Sequence, residues 1–183
     1  MMEDTTTPEH HFELTVSGPL TDERLDALFE AGCDDATLSS KGELIFAAFD
    51  RQAPTLPDAV ISAIRAIETV SGLEVLHVDP DDLVWASEIA ERTSRTRQSV
   101  GQLIKGMRGP GGFPSPTSHA TRNPLWCWAE VEAWFAAYEG HPSEADRCAV
   151  IGAINGALKA RHNLRAAVEA APLRRVVEEL LVS

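Results

Sequence analysis

The sequence predicts a mixed α+β fold in two parts, on three observations. Residues 12–78 alternate strand-like and helix-like apolar spacing, residues 88–103 carry two short apolar-faced helices around a polar turn, and the charge balance changes sign between these stretches. Phe12, Leu14 and Val16 repeat every second residue, the mark of a strand with one buried face. Thr21-Asp22-Glu23 caps a helix that places Leu25, Leu28 and Phe29 on one face. Strands follow at Ala36–Ser39 and Glu43–Phe49, with Ser40-Lys41-Gly42 as the turn between them. Thr55 precedes a second helix, about Pro57 to Val70, striped by Val60, Ala63, Ile64 and Ile67, and a last strand spans Leu73–Val78. The order βαββαβ predicts a ferredoxin-like domain over residues 12–79, with two helices on one sheet face, after a flexible tail at 1–11.

Asp79-Pro80-Asp81-Asp82 marks the boundary, because Pro80 forces the residue before it into extended geometry. Beyond it, Ile89 and Ala90 on one helix face Val100 and Leu103 on the next, a spacing that lets two short helices cross in a helix-turn-helix. Gly106–Pro116 is too rich in Gly and Pro for regular structure, and Thr117–Pro124 reads as a polar hairpin tip. Leu125-Trp126-Cys127-Trp128 returns to apolar character, and a helix over about Trp128 to Tyr138 presents Val131 and Trp134. Residues 83–139 thus read as a winged helix-turn-helix, with Trp126, Trp128 and Trp134 in its packing. From 143 to 183 the chain reads as C-terminal helices. Ser143 is the N-cap of a stretch carrying Cys148, Ile151, Ile154 and Leu158, and Leu173, Val176, Val177, Leu180 and Leu181 form a second stripe. Burying each Leu or Val of that stripe contributes about 1.5–3 kcal/mol, so it packs on its own core or on a second copy in a homodimer.

Composition narrows the function. The chain has 183 residues, 44% of them hydrophobic and 24% charged, the balance of a soluble globular protein. Cys33, Cys127 and Cys148 are too scattered for a disulfide framework or a zinc set. The acidic start Met1-Met2-Glu3-Asp4-Thr5 has no secretory pattern, and no apolar run approaches the roughly 20 residues of a membrane span, so a cytoplasmic protein without membrane contact is expected. The net charge of −12 is unevenly placed. Residues 1–83 hold 18 acids against 4 bases, whereas residues 91–124 hold six bases against Glu91 alone. Screening over about 8–10 Å lets that local basic surface act despite the acidic neighbour.

DNA is the partner this surface fits. Thr96 is placed to N-cap the second helix, so Arg97 and Gln98 in its first turn, and Gln102 one turn on, would reach base edges in the major groove. Arg suits guanine and Gln suits adenine. Arg95, Thr96, Ser99, Lys105, Arg108 and Arg122 are the expected phosphate contacts, and His119 stands near the wing tip.

Ser87-Glu88-Ile89-Ala90-Glu91-Arg92, Thr96-Arg97-Gln98-Ser99-Val100, the Gly109–Pro116 run, Leu125-Trp126 and Val131-Glu132-Ala133-Trp134 together resemble the winged helix-turn-helix of MerR-like and AlpA (excisionase)-like DNA-binding proteins. The resemblance covers about residues 83–138. Residues 12–138 also look like small actinobacterial-type helix-turn-helix proteins with an acidic N-terminal domain. Two residues depart from the pattern: Ser94 stands where a turn glycine is common, and Trp85 where Ser or Thr caps the first helix.

No catalytic constellation is defensible. The Gly106–Gly112 run lacks a Gly-Lys-Ser/Thr ending, the His residues have no Cys or carboxylate partners at ligand spacing, and no cofactor is implied. The expectation is a non-enzymatic, homodimeric, sequence-specific double-stranded DNA-binding protein acting in transcription regulation, since paired half-sites supply what one short helix cannot. Two alternatives stand beside it: an excisionase-like architectural factor, and an antitoxin-like adaptor whose acidic N-terminal domain docks a basic protein. That domain could also hold a small regulatory ligand, by fold analogy alone.

Overall fold

A computed structural model describes residues 7–80, 82–117 and 124–166. The fold is mixed α+β. Its elements are β1 (Glu9–Ser17), α1 (Asp22–Glu30), β2 (Ala36–Lys41), β3 (Leu44–Gln52), α2 (Leu56–Thr69), β4 (Glu74–Asp79), β5 (Leu83–Trp85), α3 (Ala86–Arg92), α4 (Arg97–Ile104), β6 (Leu125–Cys127), α5 (Trp128–Glu139) and α6 (Ala145–Ala166). They fall into two compact units, one taking residues through Pro80 together with those from Ala153, the other residues 81–152. The segment expected to stand apart from residue 143 is therefore divided within α6. The stripe Leu173, Val176, Val177, Leu180 and Leu181 lies outside the described residues. No described helix is long and apolar enough to cross a membrane.

The first unit is built on a four-stranded antiparallel sheet in the order β2-β3-β1-β4. Alternation puts Phe12, Leu14 and Val16 of β1 and Ile45, Ala47 and Phe49 of β3 in the core, where Phe12 and Phe49 stack at 5.3 Å. Helix α2 buries Ala59, Val60, Ala63, Ile64 and Ile67, and starts at Thr55, whose hydroxyl accepts from the Asp58 N–H. Thr21 caps α1 in the same way through the Arg24 N–H. Helix α1 departs from the expected face. Only Leu28 is buried, while Leu25 is 45% and Phe29 68% exposed. Consecutive residues lie about 100° apart around a helix. A nine-residue helix whose contact arc is centred on Leu28 therefore turns Phe29 outward.

Two polar devices complete this unit, and neither shows in the apolar pattern. Arg51 sits among the core residues of β3, 8% exposed, and its Nε and Nη2 each donate to an Asp35 carboxylate oxygen at 2.7 Å. Strand β4 lies at the sheet edge, and residues of α6 bond three of its backbone groups. Asn155 accepts from the Val78 N–H at 2.8 Å and donates to the Val78 carbonyl at 2.9 Å. Arg161 donates to both Glu68 oxygens and to the Val75 carbonyl, and Arg165 pairs with Glu74 at 2.7 Å. The groups bonded in this way are not free to pair with another strand.

The second unit packs around Val84, Ile89, Ala90, Val100, Leu103, Trp126, Val131 and Phe135. Strands β5 and β6 pair antiparallel, with Val84 opposite Trp126. Residues 106–116 form no helix or strand, yet they are held in place. The Trp126 indole donates to the Pro114 carbonyl at 3.2 Å, the Trp134 indole donates to the Gly111 carbonyl at 3.0 Å, and Phe113 meets Trp134 edge-on at 5.0 Å. Gly109 has φ 78°, and a Cβ there would come within 2.9 Å of Leu103, so the loop needs glycine at this point. Ser143 accepts from the Ala145 N–H at 3.0 Å and donates to Glu132 at 2.6 Å, serving the start of α6.

Cys33 and Cys148 are buried, and Cys127 is half-buried. Burial pushes the Cys33 thiol pKa up, partly offset by Arg51, and pushes Cys148 up with help from Glu132 and Glu144. Because the thiolate is the reacting form, alkylation of the folded chain at pH 8 is expected to label one thiol rapidly, Cys127, and the other two only on unfolding. Rapid labelling of all three would contradict it. Raised folded-state values also fix the sign of the linkage. The contribution is complete below the ordinary thiol pKa of about 8.5 and is lost as pH rises through the raised values.

Candidate nucleic-acid interface

The candidate surface begins where α3 ends. The Ser94 N–H donates to the Glu91 carbonyl at 3.1 Å and the Arg95 N–H to the Ala90 carbonyl at 2.8 Å, the paired bonds of a Schellman turn. Such a turn needs one left-handed residue, and Ser94 supplies it with φ 52°, the one positive value at a non-glycine among the described residues. A Cβ in this region costs about 1 kcal/mol. Ser94→Gly is therefore expected to raise unfolding stability by roughly 0.5–1 kcal/mol, read as a higher urea midpoint with an unchanged slope. A lower midpoint would count against the turn geometry.

Helix α3 starts without a side-chain cap, because the indole N–H of Trp85 can only donate. The Glu88 carboxylate instead accepts from the Trp85 N–H at 2.7 Å, half of a capping box. Helix α4 begins at Thr96, whose hydroxyl accepts from the Ser99 N–H at 3.1 Å. Val100 and Leu103 turn inward and are fully buried, which fixes the roll of α4 about its axis.

That roll leaves Arg97 and Gln98 exposed, with Ser99 and Gln102 half-buried beside them and Lys105 and Arg108 exposed beyond. No carboxylate of the described residues pairs with Arg97, Lys105 or Arg108. The first turn of α4 holds no acidic residue either, so the positive end of the helix is uncompensated. Arg97, Gly101 and Lys105 follow one another at intervals of four, and a Cβ at Gly101 would meet nothing within 4 Å. A bare backbone between two cations allows an anionic surface to approach closely. The i, i+4, i+8 spacing was legible in the sequence, but Gly101 was not among the residues it singled out.

Arg95 does not join this surface as expected. Its Nη2 lies 2.5 Å from Glu139 Oε1 at the end of α5, and its guanidinium carbon lies 5.4 Å from the centre of the Phe135 ring. Arg92 is likewise stacked, 5.0 Å above Trp128. Arg122 and His119 lie outside the described residues. Comparison with protein-family models, curated proteins and solved structures finds nothing that matches this chain.

Proposed function

We propose that this protein is a cytoplasmic, homodimeric transcriptional regulator that reads double-stranded DNA through a MerR-like or AlpA-like winged helix-turn-helix, with α4 in the major groove. One observation carries the reading: α4 combines a fully buried under-face at Val100 and Leu103 with exposed Arg97 and Gln98, Lys105 and Arg108 are exposed just past its end, and no cation of this set has an intramolecular ion pair among the described residues. Arg97 and Gln98 lie in the first turn, where a recognition helix meets base edges, and Lys105 and Arg108 flank it where only charge and reach are needed. The loop at 106–116, tied to Trp126 and Trp134, takes the place of the wing. The binding role needs no catalytic group or cofactor. The antiparallel order β2-β3-β1-β4 supports a ferredoxin-like reading of the N-terminal unit, whose acidity disfavours indiscriminate DNA contact.

Selection from random duplexes followed by affinity titration tests this. Arg97→Ala and Gln98→Ala are expected to lose 10- to 100-fold in discrimination between selected and unselected duplexes, about 1–3 kcal/mol. Lys105→Ala and Arg108→Ala are expected to weaken all duplexes alike and to reduce the salt slope by about 0.9 each. Unchanged affinity and selectivity in all four variants overturns the proposal.

A further inference from the structure

We infer that Arg95 is a positioning residue for the recognition helix and not one of its phosphate contacts, an inference that rests on the DNA-binding reading. Arg95 stands where the chain passes from α3 to α4. Its N–H closes α3 on the Ala90 carbonyl, and the next residue, Thr96, caps α4. Its side chain leaves that junction for α5. There Nη2 meets Glu139, the last residue of the helix, and the guanidinium lies against Phe135, a member of the same buried cluster as Val100 and Leu103. One side chain thus ties the start of α4 to the end of α5, two residues before Arg97 and three before Gln98.

The guanidinium is not available for a phosphate. The Arg95 side chain is 25% exposed, and its Nε is buried with no hydrogen-bond partner among the described residues, so the group is sequestered on its carboxylate and its ring. A phosphate would have to displace a charge-assisted bond at 2.5 Å and pull the side chain off Phe135. Arg97, Lys105 and Arg108 offer the same charge with no ion pair to break among the described residues. Arg95 acts on DNA through the orientation of α4, which decides whether Arg97 and Gln98 meet base edges.

The test uses the full chain, a duplex enriched from a random pool and a shuffled duplex of equal length. Arg95→Ala and Glu139→Gln are each expected to lower the affinity ratio between the two duplexes about tenfold while the salt slope stays at the parent value. The charge-swapped pair Arg95→Glu with Glu139→Arg is expected to restore the ratio. A salt slope reduced by about 0.9 in Arg95→Ala alone would make Arg95 a phosphate contact and overturn the inference. An unchanged ratio in both single variants would overturn it as well. Hydrogen exchange without DNA separates this from failure of the DNA-binding reading. Faster exchange of the Ser99 and Val100 amides in both single variants, reversed in the swap, supports the positioning role, and unchanged exchange overturns it even if the parent chain binds no duplex.

Discussion

Replacing Arg51 by methionine is expected to destabilise the first unit by about 3 kcal/mol, measured by urea unfolding. The side chain lies among the core residues of β3 and gives two bonds to Asp35, one to the Gly32 carbonyl at 2.5 Å and one to Ser62 at 3.3 Å. Its guanidinium also lies 4.7 Å from the centre of the Phe49 ring. Methionine keeps most of the apolar packing and removes every one of these bonds. What remains is the Asp35 charge with no counter-ion and a Gly32 carbonyl with no donor. Losing one partner of a buried pair costs about 3–5 kcal/mol, and the lower end applies because the Asp35 side chain is 28% exposed and water reaches it. The double variant Arg51→Met with Asp35→Asn is then expected to recover about half of the loss, because no uncompensated charge is left. Equal losses in the single and double variants would show that the unpaired Asp35 charge costs little and that the loss lies in the bonds to Gly32 and Ser62. The Cys33 thiol gives a second readout: burial already raises its pKa, Arg51 draws it partly back, and removing Arg51 raises it further.

What could be read from the sequence and what could not divide along physical lines. The alternation of β1 and β3 and the stripe of α2 are periodic, so their inward faces follow from spacing alone. The pair α3 and α4 was legible for the same reason, since Ile89, Ala90, Val100 and Leu103 all pack inward as their spacing requires. Helix α1 fails this logic because three apolar residues span an arc wider than the contact its nine residues make, and spacing does not say which edge of the arc touches the sheet. Strand β5 has three residues, too few to show a period. The Glu139 pair of Arg95 was not legible, because Arg in a basic stretch looks the same whether it faces solvent or a carboxylate 44 positions away. The roles of Arg51 and Asn155 were not legible at all. Their partners are fixed by topology, and a polar residue that will be buried carries no local signal before its partner is known. In the candidate interface, the exposure of Arg97 and Gln98 follows from the burial of Val100 and Leu103 on the same short helix, whereas the commitment of Arg95 follows only from where α5 ends.

Asn155→Asp is expected to destabilise the first unit by about 3 kcal/mol at pH 7 and by much less near pH 4, a pH dependence the parent residue cannot have. The Asn155 amide is 7% exposed and matches both outer groups of Val78, Oδ1 taking the N–H and Nδ2 giving to the carbonyl. An aspartate keeps the acceptor for the N–H but sets a second oxygen against the Val78 carbonyl at a site where the amide bond measures 2.9 Å. Burial and that opposing oxygen favour the neutral acid against the pull of the His77 ring, whose Nε2 lies 3.5 Å from the Asn155 Nδ2, so the folded-state pKa of the new carboxyl is expected above its unfolded value of about 3.9. The sign follows directly. Stability is retained below the unfolded pKa, where the protonated acid can donate to the carbonyl as the amide did, and is lost as pH rises through the raised folded value. Asn155→Leu serves as the pH-independent control. It fills the space, leaves the N–H and carbonyl of Val78 without partners, and is expected to cost about 2–3 kcal/mol at both pH values. Measuring each variant against the parent at both pH values removes the background from the remaining carboxylates. A pH-independent loss in Asn155→Asp would mean that water reaches the edge of β4, and that α6 shields the strand without replacing its missing neighbour.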